Sequence, residues 1–160
     1  MSESKKPFRP PGTDLALARE APWLAPAREQ VQRAIAAGRL SHALQIVGPP
    51  GLGTAGLAEW IARAALCDRP ASAPCDECAS CRLHEAGSHP DRVRIAVRED
   101  KQQVLIDDVR ELIESLGLRS QRGGRRVAIV DPADAMNVNG ANALLKTLEE
   151  PGAGALLILP

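Results

Sequence analysis

Aromatic residues are nearly absent: there is no tyrosine, one phenylalanine (Phe8) and two tryptophans (Trp23, Trp60) in 160 residues. A sandwich of aromatic-rich strands is excluded, and the core must be built from Leu, Ile, Val and abundant Ala, which suits close helix packing. Net charge is lacking too, with 20 basic against 20 acidic residues. Nothing global attracts a polyanion, so contact with nucleic acid needs a local patch or a partner. Lysine is scarce, standing only at Lys5, Lys6, Lys101 and Lys146. The other cations are arginines, and Arg119, Arg122, Arg125 and Arg126 form one tight run at a glycine-containing turn, read either as a solvated loop or as a DNA or partner contact. No stretch approaches the roughly 20 apolar residues of a membrane span, and the first thirty residues lack a leader's apolar core. A cytoplasmic protein without membrane contact is expected.

What is present is an alternation of strand-like and helix-like segments. Residues 1–22 are polar and carry Pro7, Pro10, Pro11 and Pro22, and read as a flexible N-terminal arm. Ala27, Val31, Ala34 and Ile35 recur on one helical face until Gly38. Ala43 to Val47 reads as a buried strand running into a glycine-rich turn and an alanine-rich helix through Leu57, Trp60, Ile61 and Leu66. From Cys67 to His89 periodicity disappears. Arg92 to Val97 is a strand of alternating character, and Leu105, Val109, Leu112, Ile113 and Leu116 make a helical stripe that Gly117 ends. Val127 to Asp131 is a buried strand. Asn137 or Asn139 caps the next helix, which is expected to turn Leu144, Leu145 and Leu148 inward before Glu150-Pro151 stops it. Ala155 to Leu159 reads as a central strand, and a chain stopping there suggests a truncated protein. Apolar strands alternating with helices predict an α/β fold, a mostly parallel sheet with helices on both faces. In such sheets ligands sit beyond the carboxyl ends of strands, where the glycine turn and Asp131 fall.

Cys67, Cys75, Cys78 and Cys81 are spaced C-x7-C-x2-C-x2-C. A disulfide framework is not expected in a reducing compartment. Thiolates two residues apart can turn onto one tetrahedral ion, and a polar segment too short to collapse gains its cross-link from that ion. A structural zinc held by all four sulfurs is the expectation, with no coordination position left for catalysis. An iron–sulfur cluster, a site of three cysteines with His84 or His89, and free thiols are the alternatives.

The turn after the first strand reads Gly48-Pro49-Pro50-Gly51-Leu52-Gly53-Thr54-Ala55. An ATP-binding loop reads G-x-x-x-x-G-K-[ST]. Gly48 and Gly53 keep its spacing and Gly51 adds freedom, but Thr54 stands at the lysine position and Ala55 at the magnesium-binding hydroxyl. Asp131 ends a strand as a magnesium-side aspartate would, yet Pro132 follows where a water-orienting glutamate often stands, and Asp134 reads as a helix-capping turn residue. The backbone cradle persists without the groups that grip terminal phosphates and metal. No functional ATP site and no intrinsic ATPase are expected.

These pieces together resemble the delta-prime subunits of bacterial DNA polymerase III clamp loaders, within the AAA+ clamp-loader family. The resemblance runs from Pro22 to Pro160. It rests on Trp23-Leu24, Arg39-Leu40-Ser41-His42-Ala43-Leu44, the degenerate glycine loop, the four cysteines, Gly87-Ser88-His89-Pro90-Asp91 and above all Asn142 to Pro151 (NALLKTLEEP). It implies an AAA+, P-loop NTPase-like module over residues 23–160, incomplete at its end, with a zinc-binding insertion at 67–91. It also implies a non-catalytic stator that sits with gamma/tau motor subunits and a delta subunit in a hetero-pentamer. That assembly loads the sliding clamp onto primer-template DNA, and DNA-directed DNA polymerase (nucleotidyltransferase) chemistry belongs to the holoenzyme. The family's arginine finger, in a Ser-Arg-Cys segment, and its lid and collar would follow residue 160. Lys146 and Glu149 lie either near subunit contacts or in a surface pair. The nearest alternative is an ATP-hydrolysing gamma/tau-type motor subunit with a degenerate loop, from whose pattern Thr54, Ala55 and Pro132 depart. An active enzyme would need a cation delivered to the loop from elsewhere, with Arg125 or Arg126 as the source. A zinc-ribbon nucleic-acid binder is disfavoured, because Arg69 and Arg82 are offset by Asp68, Asp76 and Glu77.

Overall fold

The β-branched and leucine-rich segments form β1 (Ala43–Gln45), β2 (Arg92–Ala96), β3 (Arg126–Asp131) and β4 (Ala155–Leu159). They pair in the order β1–β4–β3–β2, and every neighbouring pair is parallel. The computed structural model describes residues 15–98 and 101–160. Its helices are α1 (Leu15–Glu20), α2 (Ala25–Ala36), α3 (Thr54–Ala65), α4 (Ala79–Glu85), α5 (Ile106–Gly117) and α6 (Val138–Glu149).

The central strands are apolar throughout because both sheet faces are covered. Val127, Ile129, Leu156 and Ile158 turn toward α1, α2 and α3, where Leu57, Ala58, Trp60, Ile61 and Ala64 meet them. Their alternates Ala128, Val130, Ala155 and Leu157 turn toward α5 and α6, meeting Val109, Leu112, Leu116 and Leu144. Burying each large aliphatic side chain stabilises the fold by about 1.5–3 kcal/mol. β2 lies at the sheet edge, which is why all five of its residues are only half-buried. An α/β fold with a parallel sheet flanked by helices is thus observed, and β4 is the central strand its sequence implied.

Five local expectations are corrected. Residues 1–14 of the arm lie outside the described residues, but 15–22 are not a loose arm: α1 packs on α3, with Ala18 and Ala21 buried. The first strand stops at Gln45, although Ile46 N still donates to Leu159 O at 2.9 Å, and Val47 is 84% exposed. The segment from Cys67 to His89 holds a short helix, α4, too brief for its periodicity to register. Leu145 is 51% exposed while Leu144 is 2% exposed, because residues one apart on a helix point 100° apart and only one stripe of α6 meets the sheet. Asn137 is the cap of α6, its side chain accepting from Gly140 N at 2.8 Å; Asp134 is not.

Candidate metal centre and phosphate loop

Helix α3 links the two places where chemistry was expected. Gly53 caps its amino end and Cys67 follows its carboxyl end, so the glycine turn and the cysteines are separated by the helix length, about 18 Å for twelve residues.

At the carboxyl end the four cysteine sulfurs all lie within 4.8 Å of one another. Sulfurs on a tetrahedral ion at a bond length of about 2.3 Å are about 3.8 Å apart, and Cys67 Sγ is 3.9 Å from Cys78 Sγ. The turns that bring them together also supply donors. Cys78 N donates to Cys75 Sγ and Cys81 N to Cys78 Sγ, both at 3.4 Å, and Arg69 N donates to Cys67 Sγ at 3.4 Å. Burial pushes the Cys81 thiol up to about 12, so a thiolate there requires a cation beside it. The backbone N–H of Glu77, foremost among several donors, holds Cys75 down at about 6. The arrangement therefore fits a metal ion held by four sulfurs. His84 and His89 stand outside the cluster. His84 Nε2 faces Glu59 Oε2 at 3.4 Å, and His89 Nδ1 accepts from Asp91 N at 3.1 Å.

At the amino end the glycine turn keeps its conformation. Gly51 (φ 84°) and Gly53 (φ 92°) occupy the left-handed region that side-chain-bearing residues avoid. A Cβ at Gly53 would meet Leu24 Cδ1 at 3.3 Å, so the turn rests on the chain before α2. Trp23 Nε1 adds a hydrogen bond to Leu52 O at 3.0 Å. The Thr54 methyl Cγ2 lies 3.0 Å from where a Cβ on Gly48 would stand, so a threonine side chain leans on the first glycine of the turn. Ala55, the second residue of α3, has no side-chain oxygen to offer a metal.

Asp131 ends β3 on the same edge of the sheet and is already engaged. Arg94, from β2, donates to Asp131 Oδ2 and, at 3.1 Å, to Glu59 Oε1 on α3; Arg92 donates to both oxygens of Glu59, its Nε at 3.0 Å from Oε2. Glu59 is buried, which works against its charge, yet the hydrogen bond from His84 and the two guanidiniums hold it down at about 2. Burial raises the Asp131 carboxyl above the usual range against the pull of Arg94.

Comparison with known proteins agrees with this frame. Residues 24–160 match the family model described as "DNA polymerase III, delta subunit". The chain belongs to the DNA polymerase III delta-prime family. It is 46% identical over 120 residues to the DNA polymerase III subunit delta' of Pseudomonas aeruginosa, covering 74% of this chain and 37% of that relative. It is 41% identical over 133 residues to that of Escherichia coli (82% and 40%). To the DNA polymerase III subunit tau of Bacillus subtilis it is 32% identical over 130 residues (81% and 23%). The chain thus spans about two fifths of the length of the delta' relatives.

Two features of this delta-prime family chain escaped the sequence. One is the charge network of Glu59, Arg92 and Arg94. Its only trace is an acid inside an apolar helix and two arginines at alternate positions of a strand, which puts both on one face. The other is Asp91, 1% exposed, which accepts from Ser120 Oγ (2.8 Å), Gln121 N (2.7 Å) and Arg122 N (3.0 Å) and faces Arg126 Nη1 at 3.4 Å. Asp91 thereby fixes the arginine run, which is not a merely solvated loop. Arg126 is buried, Arg122 Nε donates to Ser80 Oγ at 2.9 Å, and Arg125 Nη2 reaches Leu40 O at 3.5 Å. Arg126 opens β3 and Asp131 closes it, so this run lies across the sheet from the glycine turn, about 17 Å away along the strand. Arg125 and Arg126 cannot serve that turn as its missing cation.

Proposed function

We propose that this chain is the AAA+, P-loop NTPase-like part (residues 23–160, with α1 packed onto it) of a non-catalytic delta-prime stator. Its proposed partners are gamma/tau motor subunits and a delta subunit in a cytoplasmic hetero-pentamer, and through that assembly the sliding clamp and primer-template DNA. The observation that carries the reading is the paired loss at one sheet edge: Thr54 and Ala55 replace the phosphate- and magnesium-gripping groups, and Arg94 occupies the Asp131 carboxylate. Pro132 adds to it by offering no group to orient water. DNA-directed DNA polymerase chemistry then belongs to the holoenzyme.

The motor reading has one observation in its favour, the 32% identity to a tau subunit, and the same substitutions weigh against it. Purified chain incubated with magnesium ATP is expected to release phosphate no faster than a protein-free blank. A protein that carries this chain at the full length of the delta' relatives is expected to stimulate ATP hydrolysis by motor subunits. Turnover by the chain itself that disappears in Asp131→Asn would overturn the stator reading in favour of the motor.

The ion proposed for Cys67, Cys75, Cys78 and Cys81, in an insertion at 67–91, is zinc in a structural role. Four thiolates suit it and leave no position for water or substrate. Supporting evidence is the sulfur spacing already described. Metal analysis is expected to give one zinc per chain; a visible cluster absorbance, or no stoichiometric metal, would refute the assignment.

A further inference from the structure

Arg63 occupies an environment that a surface ion pair does not explain. It lies on the last turn of α3, four residues after Glu59, and its side chain is 1% exposed. Its Nε is 2.8 Å from Asp76 Oδ1 and its Nη2 is 3.2 Å from Glu85 Oε2. Those carboxylates are 45% and 65% exposed, so water screens both and neither matches the burial of the guanidinium. Nη1 is buried with no hydrogen-bond partner. A buried cation is expensive unless buried anions accompany it. Asp76 stands in the turn between Cys75 and Cys78, and Glu85 lies one helical turn after the fully buried Cys81 on α4, so the guanidinium is held beside the cysteine turns.

The cysteine cluster has the reciprocal problem. Four thiolates around one divalent ion carry a net charge of about −2, and Cys67, Cys78 and Cys81 are buried. Arg19, Arg69 and Arg122 are committed to exposed acids beside the cysteines, Arg19 to Asp76 (3.1 Å), Arg69 to Glu77 (3.0 Å) and Arg122 to Asp68 (3.6 Å), and Arg82, next to Cys81, is exposed. We propose that Arg63 is the buried counter-cation of the four-cysteine centre, a positioning residue whose guanidinium offsets thiolate charge and raises metal affinity. This rests on the metal reading above. Arg63 would then do more than clamp the Cys75–Cys78 turn to α3.

The test uses the full chain and zinc alone. Zinc affinity is measured by competition with a chromogenic chelator for wild type, Arg63→Lys, Arg63→Met and Glu85→Gln, and the sulfur-to-metal charge-transfer band of the cobalt-substituted proteins is recorded. A group outside the ligand set of this kind typically changes affinity by about 10- to 100-fold. Arg63→Met is expected to weaken zinc by that factor and shift the band. Arg63→Lys, which keeps the charge, should stay within about threefold by the same yardstick. Glu85→Gln removes only an exposed partner and should leave affinity unchanged. Equal losses in Arg63→Lys and Arg63→Met, or a tenfold loss in Glu85→Gln, would show a clamp and sink the proposal. If Arg63→Met does not fold, the lysine and glutamine variants alone decide it. Wild-type chain that takes up no zinc refutes the metal reading itself, a result separate from any ranking among variants.

Discussion

Asp91→Ala, just before β2, should be the most damaging single substitution for the loop that follows α5. Asp91 is 1% exposed, accepts from Ser120 Oγ and from the backbone N–H groups of Gln121 and Arg122, and faces the buried Arg126 guanidinium. Alanine removes every acceptor at once. Gln121 and Arg122 are exposed, so their N–H groups can turn to water at small cost. Arg126 cannot, being 8% exposed, although Ser115 Oγ and Arg119 O still accept from it. Breaking a buried ion pair from one side costs about 3–5 kcal/mol. At about 2–4 °C per kcal/mol for a chain of this size, the melting temperature should fall by about 6–20 °C.

The pH dependence gives the sign. Burial opposes ionisation of Asp91, but the donors from Gln121, Ser120 and Arg122 and the charge of Arg126 outweigh it and hold the carboxyl below its usual range. A carboxyl depressed in the folded state stabilises fully above its unfolded pKa, about 3.9, and loses that contribution as pH falls through the folded value. Calorimetry of wild type and variant should therefore give a constant gap from pH 7 to pH 5 that narrows only in more acid solution. A fall smaller than 2 °C at pH 7 would refute the reasoning, as would a gap that closes between pH 7 and pH 5.

The remaining expectations concern the core and the network on α3. Leu144→Ala should cost about 2–5 kcal/mol in urea unfolding, whereas Leu145→Ala, at an exposed position, should stay within about 0.5 kcal/mol; equal losses would mean that α6 is rotated from its described face. Glu59→Gln removes the acidic partner of Arg92 and leaves Arg94 with Asp131, and the drop of the Glu59 carboxyl from 4.5 to about 2 corresponds to about 3 kcal/mol of stability at neutral pH. That contribution should persist down to about pH 4.5 and vanish as pH falls through about 2, and a variant as stable as wild type at pH 7 would contradict it.

What the sequence made legible is what repeats or is spaced. The stripe Val109, Leu112, Leu116 and the run Val127 to Val130 declare a helix and a strand because many residues vote for one period, and both are buried as expected. The cysteine spacing works the same way, since two C-x2-C steps already bend the backbone onto one point. Legibility fails where one residue's fate depends on a distant neighbour. Six residues of α1 cannot display a period, and only α3 tells them they are covered. Leu145 has the right chemistry for a core but stands on the side of α6 that meets no sheet. Glu59, Arg92 and Arg94 read singly as ordinary surface charges, and become a network only when the β2–β3 register sets Arg94 one strand away from Asp131.

That register bears on why an aspartate persists at the end of β3. A carboxylate with 7% exposure at the end of a central strand has to be met by positive charge, or its burial raises its pKa until it neutralises. A divalent ion supplies that charge in a hydrolysing site of this kind. Arg94 supplies part of it here from the adjacent strand, offsetting without outweighing the burial, and Glu59 holds Arg94 in place. The side chains replaced at Thr54 and Ala55 are those that would touch only a ligand. Asp131, by contrast, touches the chain itself, and removing it would leave Arg94 with a single acidic partner among the described residues. A carboxylate at a metal-side position can in this way be the partner of a half-buried arginine, which is why its presence at the strand end is no evidence of hydrolysis.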